Sequence, residues 1–376
     1  MLCRAPHDSL ATLALLLTLL PSLVSAEEVV PAATSAVSTA APRRDGRFQN
    51  NYIDFVPRGF GALMKWKLDA LREGLPPEPR TATPRLAPDL DFLRRNAAVG
   101  IAMEPAVTWI GHASVLVQLG GISLLTDPVF SERASPVSFA GPRRQGPAGI
   151  AAVDLPRIDA VVISHNHYDH LDAASVKSLA VQPGGSPLFI VPLGVKAWFT
   201  DAGIDRVVEL DWWQSRRVGE VEVVLVPAQH WSGRSFSDRM ETLWGGYAVF
   251  APDFHLFFAG DTGYSKDFAD IHARFAARHG GAGRGFDLAL LPIGAYEPRW
   301  FMMEQHIDPA EAVQIHLDLA ARRSIGIHWG TFSLTDEALD EPPRALETAR
   351  RQRGLADDAF TVMAIGETRH FPRRGP

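Results

Sequence analysis

The sequence predicts an α/β protein in which sheet layers are covered by helices, and three observations point there. From about residue 106 onward, strand-type segments alternate with helix-type segments, which neither a helical bundle nor a pure β-barrel would show. The chain has 376 residues, 46% hydrophobic and 21% charged, enough for one enzyme-sized domain with an extension and a substantial core. Its 31 glycines and 28 prolines imply many turns, and no collagen, coiled-coil or internal repeat is present.

The elements follow in chain order. Residues 10–24 form an apolar run preceded by Arg4 and followed by Val24-Ser25-Ala26, the small-residue pattern of a cleaved signal peptide spanning 1–26. The run is shorter than the ~20 residues of a bilayer span, an uncleaved anchor being the alternative, and the expected location is periplasmic or secreted, with membrane association. Residues 27–47, rich in Ala, Ser, Thr, Pro and Arg, read as a flexible linker. An N-terminal extension, 48–105, is expected to dock on the main domain. Within it Phe60, Leu63, Met64, Leu68 and Leu71 keep helical spacing beside Trp66, until Pro76, Pro77 and Pro79 end the helix. That helix either docks on the domain or lies at a lipid interface.

The main domain is assigned to 106–370. Val115–Leu119 and Ile122–Leu125 flank Gly120-Gly121, a two-residue hairpin signal. Strands are expected at Ile158–Ser164, Val207–Leu210, Val221–Val226, Tyr247–Phe250, His255–Phe258, Asp287–Pro292, Ser324–Ile327 and Phe360–Ile365, with helices at 172–180, 195–202, 266–279, 309–322 and 343–353.

Charge and cysteine usage exclude several chemistries. With 37 basic and 43 acidic residues the net charge is −6, which argues against nucleic acid as a partner. Cys3 is the only cysteine, against 13 histidines, so disulfides, Cys-ligated zinc and Cys nucleophiles have nothing to work with. Any metal must be held by His, Asp or Glu.

The segment Ser164-His165-Asn166-His167-Tyr168-Asp169-His170 directly follows an apolar strand. Three imidazoles and a carboxylate at a strand end are poor core material and good ligands. His165 and His167, two apart in extended chain, point the same way, while Asp169 and His170 turn toward a neighbouring position. Such donors suit zinc, and less selectively iron or manganese. His230, Asp261 and His328 each sit just past another β-run, where one sheet edge would gather them. Seven donors suffice for two ions with open positions for water, the mark of a catalytic site.

The pattern H-x-H-x-D-H, then His, Asp and His, resembles the metallo-β-lactamase fold, an αββα sandwich of two mixed sheets with helices on the outer faces. The stretches TWIGHASVLVQ (108–118), ISHNHYDHLD (163–172), FFAGDTGY (257–264), LPIGAYEPRWFM (291–302) and QHIDPAEAVQIH (305–316) are similar to the N-acylphosphatidylethanolamine-hydrolysing phospholipases D, over roughly residues 48–370. That resemblance implies that His165, His167 and His230 hold one zinc, Asp169, His170 and His328 a second, and that Asp261 bridges. It implies substrate contacts for Tyr168 and His306, and catalytic parts for Asp169, Asp261 and His306. The implied reaction is attack at phosphorus by a hydroxide shared between the ions, releasing N-acylethanolamine and phosphatidic acid. Phospholipid substrate, peripheral membrane contact and a homodimer are the partners expected.

Other residues carry lesser expectations. Asp127, at a strand end, and His112 are read as supporting the ligand loop through hydrogen bonds, with an ordinary core-edge role as the alternative for His112. For Tyr168 the alternative is a ring packed under the loop. His306 precedes Asp308-Pro309-Ala310-Glu311, a helix start, where anions are favoured. Glu297 and Arg299 read as an ion pair, and Trp212, Trp213, Trp231, Trp300 and Phe301 as core or cleft wall. The competing functions are a lactonase, another phosphodiesterase or a sugar-phosphate hydrolase on the same scaffold, and a non-catalytic metal-binding protein.

Overall fold

In the computed structural model, residues 40–235, 237–281 and 283–375 are described. The expected signal peptide, and the linker up to residue 39, lie outside them. The rest of the expected linker is structured. Strands β1 (Arg43–Arg44) and β2 (Arg47–Phe48) pair antiparallel, and Phe48 is buried in the main core. Burying a side chain of that size contributes about 1.5–3 kcal/mol, enough to fix a short segment lacking hydrophobic periodicity.

The extension follows as α1 (Phe60–Glu73) and α2 (Leu90–Ala98). The apolar stripe read from the sequence is not the docking face of α1. Trp66 and Ala70 are buried, and Trp66 packs on Phe301 at 4.9 Å between ring centroids, while Phe60, Met64, Leu68 and Leu71 face outward. The indole nitrogen of Trp66 donates to Asp336 (2.6 Å), so one aromatic supplies both the apolar and the polar anchor.

Two seven-stranded sheets make up the main domain, and they are built to one plan. The first contains β3 (Ala106–Gly111), β4 (Ser114–Leu119), β5 (Ile122–Thr126), β6 (Ala160–Val162), β7 (Leu188–Pro192) and β8 (Val207–Leu210), with β16 (Thr368–His370) beyond β3, in the order 16-3-4-5-6-7-8. The second contains β9 (Ser215–Val218), β10 (Val221–Val226), β11 (Gly246–Ala251), β12 (Phe254–Phe258), β13 (Leu288–Pro292), β14 (Ser324–Ile327) and β15 (Phe360–Val362), in the order 15-14-13-12-11-10-9. In each, three antiparallel pairings give way to three parallel ones.

The alternation of side chains sets the layers. Val115, Val117 and Leu119 of β4 enter the core between the sheets with Trp109, Phe258 and Leu290, while Leu116 joins the opposite cluster with Val161 and Phe189. That outer face is covered by α2, α3 (Ala173–Ala180) and α4 (Lys196–Asp201) through Leu93, Val176 and Phe199. The second sheet is covered by α5 (Asp267–His279), α7 (Pro309–Asp318) and α8 (Glu341–Gln352) through Phe268, Ile271, Val313 and Leu346. A single turn of helix, α6 (Arg299–Met302), sits between β13 and α7. This is the αββα sandwich.

Strands β5, β6, β12 and β14 run parallel to a neighbour and end at one edge. Asp127, Ser164-His165, Asp261 and His328 follow their last residues. At that edge the two sheets touch: a Cβ on Gly260 would lie 2.6 Å from the Cβ of Ser164, and its φ of +63° also demands glycine.

Candidate metal centre

All seven expected ligands, with His112 and His306, converge at this edge. Four overlapping groups of donor atoms lie within 4.8 Å of one another: His165, His167 and His230; His112, Asp169, His170 and His328; His165, His170 and Asp261; and His230, Asp261 and His306. The carboxylate of Asp261 joins them. Its Oδ2 is 3.0 Å from His170 Nε2, 3.9 Å from His165 Nε2 and 3.8 Å from His306 Nδ1, and its Oδ1 is 3.1 Å from His328 Nε2. Asp169 Oδ2 lies 3.5 Å from His170 Nε2 and 3.7 Å from His328 Nε2. His167 Nδ1 is 2.8 Å from His165 Nε2 and 3.4 Å from His230 Nε2.

The chemistry of this donor set fits metal ions. His167 Nε2, His170 Nε2, Asp261 Oδ1, His306 Nδ1 and both ring nitrogens of His328 are buried without a hydrogen-bond partner. Buried polar atoms in native proteins are otherwise paired, so such a concentration marks a place built for a ligand. Burial, reinforced by neighbouring imidazoles, holds His165 well below the usual range, and burial pushes His167 down to about 4 and His230 to about 3. Those three rings stay neutral with lone pairs free. In the other group the charge runs the opposite way. Against the effect of burial, Asp261, Asp169 and Asp127 hold His170 well above its usual value, and Asp261 and Asp169 hold His328 up at about 9. A metal binding there would displace those protons.

A frame of hydrogen bonds fixes the ligands from behind. Asp127, fully buried, accepts from His170 Nδ1 (2.7 Å), Ser164 Oγ (2.6 Å) and Ser164 N (2.7 Å). The His112 ring lies 3.1 Å from Asp169 Oδ2, and His230 Nδ1 donates to the carbonyl of Gln305 (2.9 Å). His112, Asp127 and His328 adopt φ of +55°, +33° and +62°. Three non-glycine residues in this region, each costing about 1–3 kcal/mol, show local strain concentrated at the centre.

The geometry bears on two further expectations. Tyr168 donates its hydroxyl to the carbonyl of Arg234 (3.0 Å), and its ring lies 4.0 Å from that guanidinium, so it packs with the loop and the arrangement gives no support to a substrate contact. The Glu297 carboxylate accepts from the Arg299 backbone N–H (2.9 Å) and forms no ion pair with its guanidinium. That guanidinium reaches Glu311 (2.8 Å) and the carbonyl of His306 (2.8 Å), which places it as a brace for His306. His306 itself, with 14% of its side chain exposed, stands beside Asp261, and burial pushes it down to about 3. A neutral ring suits hydrogen bonding to a phosphoryl oxygen better than it suits protonating a leaving oxygen. Of the tryptophans, Trp212 is buried in the core, Trp300 is 42% exposed and Trp231 stands edge-on to His167 at 4.4 Å.

Sequence reasoning missed two braces. Arg234 donates to the carbonyls of Asn166 (2.8 Å) and Leu171 (2.9 Å), bracketing the ligand loop. Asn50, from the extension, donates to the carbonyl of His230 and accepts from its N–H, both at 2.9 Å. Neither carries a local signal, because the partners lie 68 and 180 residues away. Asn50→Leu is expected to weaken metal retention roughly tenfold, since it frees the backbone that carries a ligand. Metal content after dialysis against graded chelator measures this, and wild-type retention would show that the extension has no part in the centre.

Comparison with known proteins adds a family. Residues 123–329 match the model of the β-lactamase superfamily domain. The N-acyl-phosphatidylethanolamine-hydrolysing phospholipase D 1 of Caenorhabditis elegans is 42% identical over 272 residues, covering 69% of this chain and 74% of that one. The corresponding mitochondrial enzyme of Saccharomyces cerevisiae is 37% identical over 308 residues, covering 78% and 63%. Among solved structures, an isothiocyanate hydrolase from Delia radicum gut bacteria aligns with a TM-score of 0.55 and 20% identity over 71% of this chain and 99% of that one, which concerns the fold alone.

Proposed function

This chain belongs to the β-lactamase superfamily of metal-dependent hydrolases, in the family of the N-acyl-phosphatidylethanolamine-hydrolysing phospholipases D, and from that premise we propose that it is a zinc-dependent phospholipase D. The substrate is an N-acylphosphatidylethanolamine-like lipid and the products are N-acylethanolamine and phosphatidic acid. The observation that carries the metal-dependent chemistry is the set of unpartnered buried donor atoms converging on Asp261. His165, His167 and His230 would hold one ion and Asp169, His170 and His328 the other, with the Asp261 carboxylate within reach of both groups. Metal bound by these residues would supply a nucleophilic water at neutral pH and offset the charge that grows on the phosphoryl oxygens.

The protein's own groups do the positioning. Asp127 and the Gln305 carbonyl take the Nδ1 protons of His170 and His230, leaving each Nε2 lone pair aimed at the centre. His306, held by Arg299 through its carbonyl, hydrogen-bonds a phosphoryl oxygen of the bound diester. Water's oxygen bonds to phosphorus, the bond to the ethanolamine oxygen breaks, and the departing oxygen gains the proton that the water loses. The outward stripe of Phe60, Met64, Leu68 and Leu71 supports peripheral contact with a lipid surface.

Zinc-loaded protein incubated with a panel of phospholipids, its products read by mass spectrometry, tests the proposal. Release of N-acylethanolamine, abolished in His167→Ala, is the expected result. Turnover of a lactone with no product from any phospholipid would overturn it. His306→Ala is expected to raise KM more than it lowers kcat, and wild-type values for both would remove His306 from the site.

A further inference from the structure

Away from the metal centre, a cavity of about 760 Å³ is lined by Phe130, Glu132 and the segment Arg143–Ala148, with Ala151 and Ala152 as its apolar wall. One guanidinium lines it and a second borders it. Arg144 enters from the loop after β5, and Arg85 reaches over from the extension. A Cβ on Gly146 would lie 3.1 Å from Arg85 Nη1, and Arg85 also donates to the Pro147 carbonyl. Neither arginine has a carboxylate within ion-pair distance among the described residues. Arg144 spends Nη1 on the carbonyl of Val129 (2.9 Å) and stacks on Phe332 at 5.3 Å, while its Nε is buried with no acceptor. Burial, together with the repulsion of Arg85, pushes Arg144 down to about 10.

The nearby carboxylates do not relieve this charge. Glu132, at the cavity, is engaged by Arg143. Asp172 attracts Arg144 electrostatically, but its oxygens take hydrogen bonds from Ser131 and Ser175. A partly buried guanidinium with no carboxylate partner, and a second, exposed cation at the rim of the same open volume, are the reverse of what a fold retains for stability, since a guanidinium removed from water is stabilised by a paired oxyanion. A forked donor matches phosphate or carboxylate oxygens two at a time, and a dianion balances both charges. The volume far exceeds one phosphate ion, and its Phe, Pro and Ala lining suits an apolar body attached to it.

We propose that the Arg85–Arg144 cavity is a binding site for a phosphate monoester dianion, distinct from the metal centre. Free phosphate and the headgroup of a phosphatidic acid share this chemistry, and only the second of these sources rests on the phospholipase reading.

Hydrogen–deuterium exchange on the metal-loaded full chain tests the site, because it separates protection in 130–152 from protection in the ligand loop 163–172. The probes are inorganic phosphate, dihexanoyl phosphatidic acid and dihexanoyl phosphatidylcholine. Protection of 143–148 by phosphate and by phosphatidic acid is expected; protection by phosphatidic acid alone also supports the site and shows that the apolar body is required. Arg144→Gln and, as a surface variant that leaves the packing intact, Arg85→Gln should each weaken this protection about tenfold or more, the loss of one charge-assisted pair. No protection of 143–148 by either phosphate probe, equal protection by phosphatidylcholine, or undiminished protection in folded Arg85→Gln would overturn the proposal, whatever happens at 163–172 and whether or not phospholipids are hydrolysed.

Discussion

On the proposed two-metal phospholipase reading, Asp261→Ala is expected to reduce hydrolysis of the phosphodiester by about a thousandfold or more and to lower the bound metal by about one ion per chain. The reason is geometric. Among the described residues Asp261 is the carboxylate whose oxygens reach rings of both ligand groups, His165 on one side and His170 and His328 on the other. It is 4% exposed, and although burial opposes ionisation, His170 and His328 hold its carboxyl well below the usual carboxylate range. Truncation removes that negative charge from between the two ligand groups, so that two ions held there would repel each other with less screening. Losing one ion's share of charge stabilisation on the phosphoryl oxygens corresponds to about 4 kcal/mol, or three powers of ten in rate. Metal analysis and single-turnover kinetics on the same preparation check both halves of the expectation. Full activity with two ions bound would exclude Asp261 as the bridge.

The sequence made the site legible because the fold puts chemistry where strands end. In β6, β12 and β14 the apolar run is buried on both faces, so it is visible as a run, and a polar donor just past it stands out. Elements without that contrast were missed. Strand β9 is Ser-Arg-Arg-Val at the sheet edge, where charge protects an unpaired ladder and hides the strand from a hydrophobic reading. Strand β7 lies inside its sheet yet ends in Pro192, which argues against a central strand; as the last residue, the proline displaces little of the ladder. The stripe on α1 was visible, but periodicity alone does not say which way an apolar face looks, and here it looks outward.

The braces around the ligands lie beyond sequence reasoning of this kind, with two exceptions, His112 beside Asp169 and Asp127 behind His170, and the second of these gives the second large effect. Asp127 follows a strand end like the ligands do, yet it touches the centre only through His170 and Ser164. Its two oxygens accept three hydrogen bonds, from a ring N–H, a hydroxyl and a backbone N–H. An asparagine offers one accepting atom and one donating group in the same space. If the carbonyl oxygen stays with Ser164 N, the amide N–H₂ faces His170 Nδ1, and the favoured tautomer moves the ring proton to Nε2, the atom needed for metal. If the amide turns over, it confronts the Ser164 N–H and leaves a buried donor unsatisfied, at about 1–3 kcal/mol. Asp127→Asn is therefore expected to weaken the ion at Asp169, His170 and His328 by about 10- to 100-fold while sparing the ion at His165, His167 and His230. Chelator competition with metal counting resolves the two ions. The fall in activity should follow the loss of the weaker one and reverse in excess zinc. Equal loss of both ions, or a loss of activity that zinc does not restore in folded protein, would show that Asp127 acts on the fold of the edge as a whole and not through the tautomer of His170.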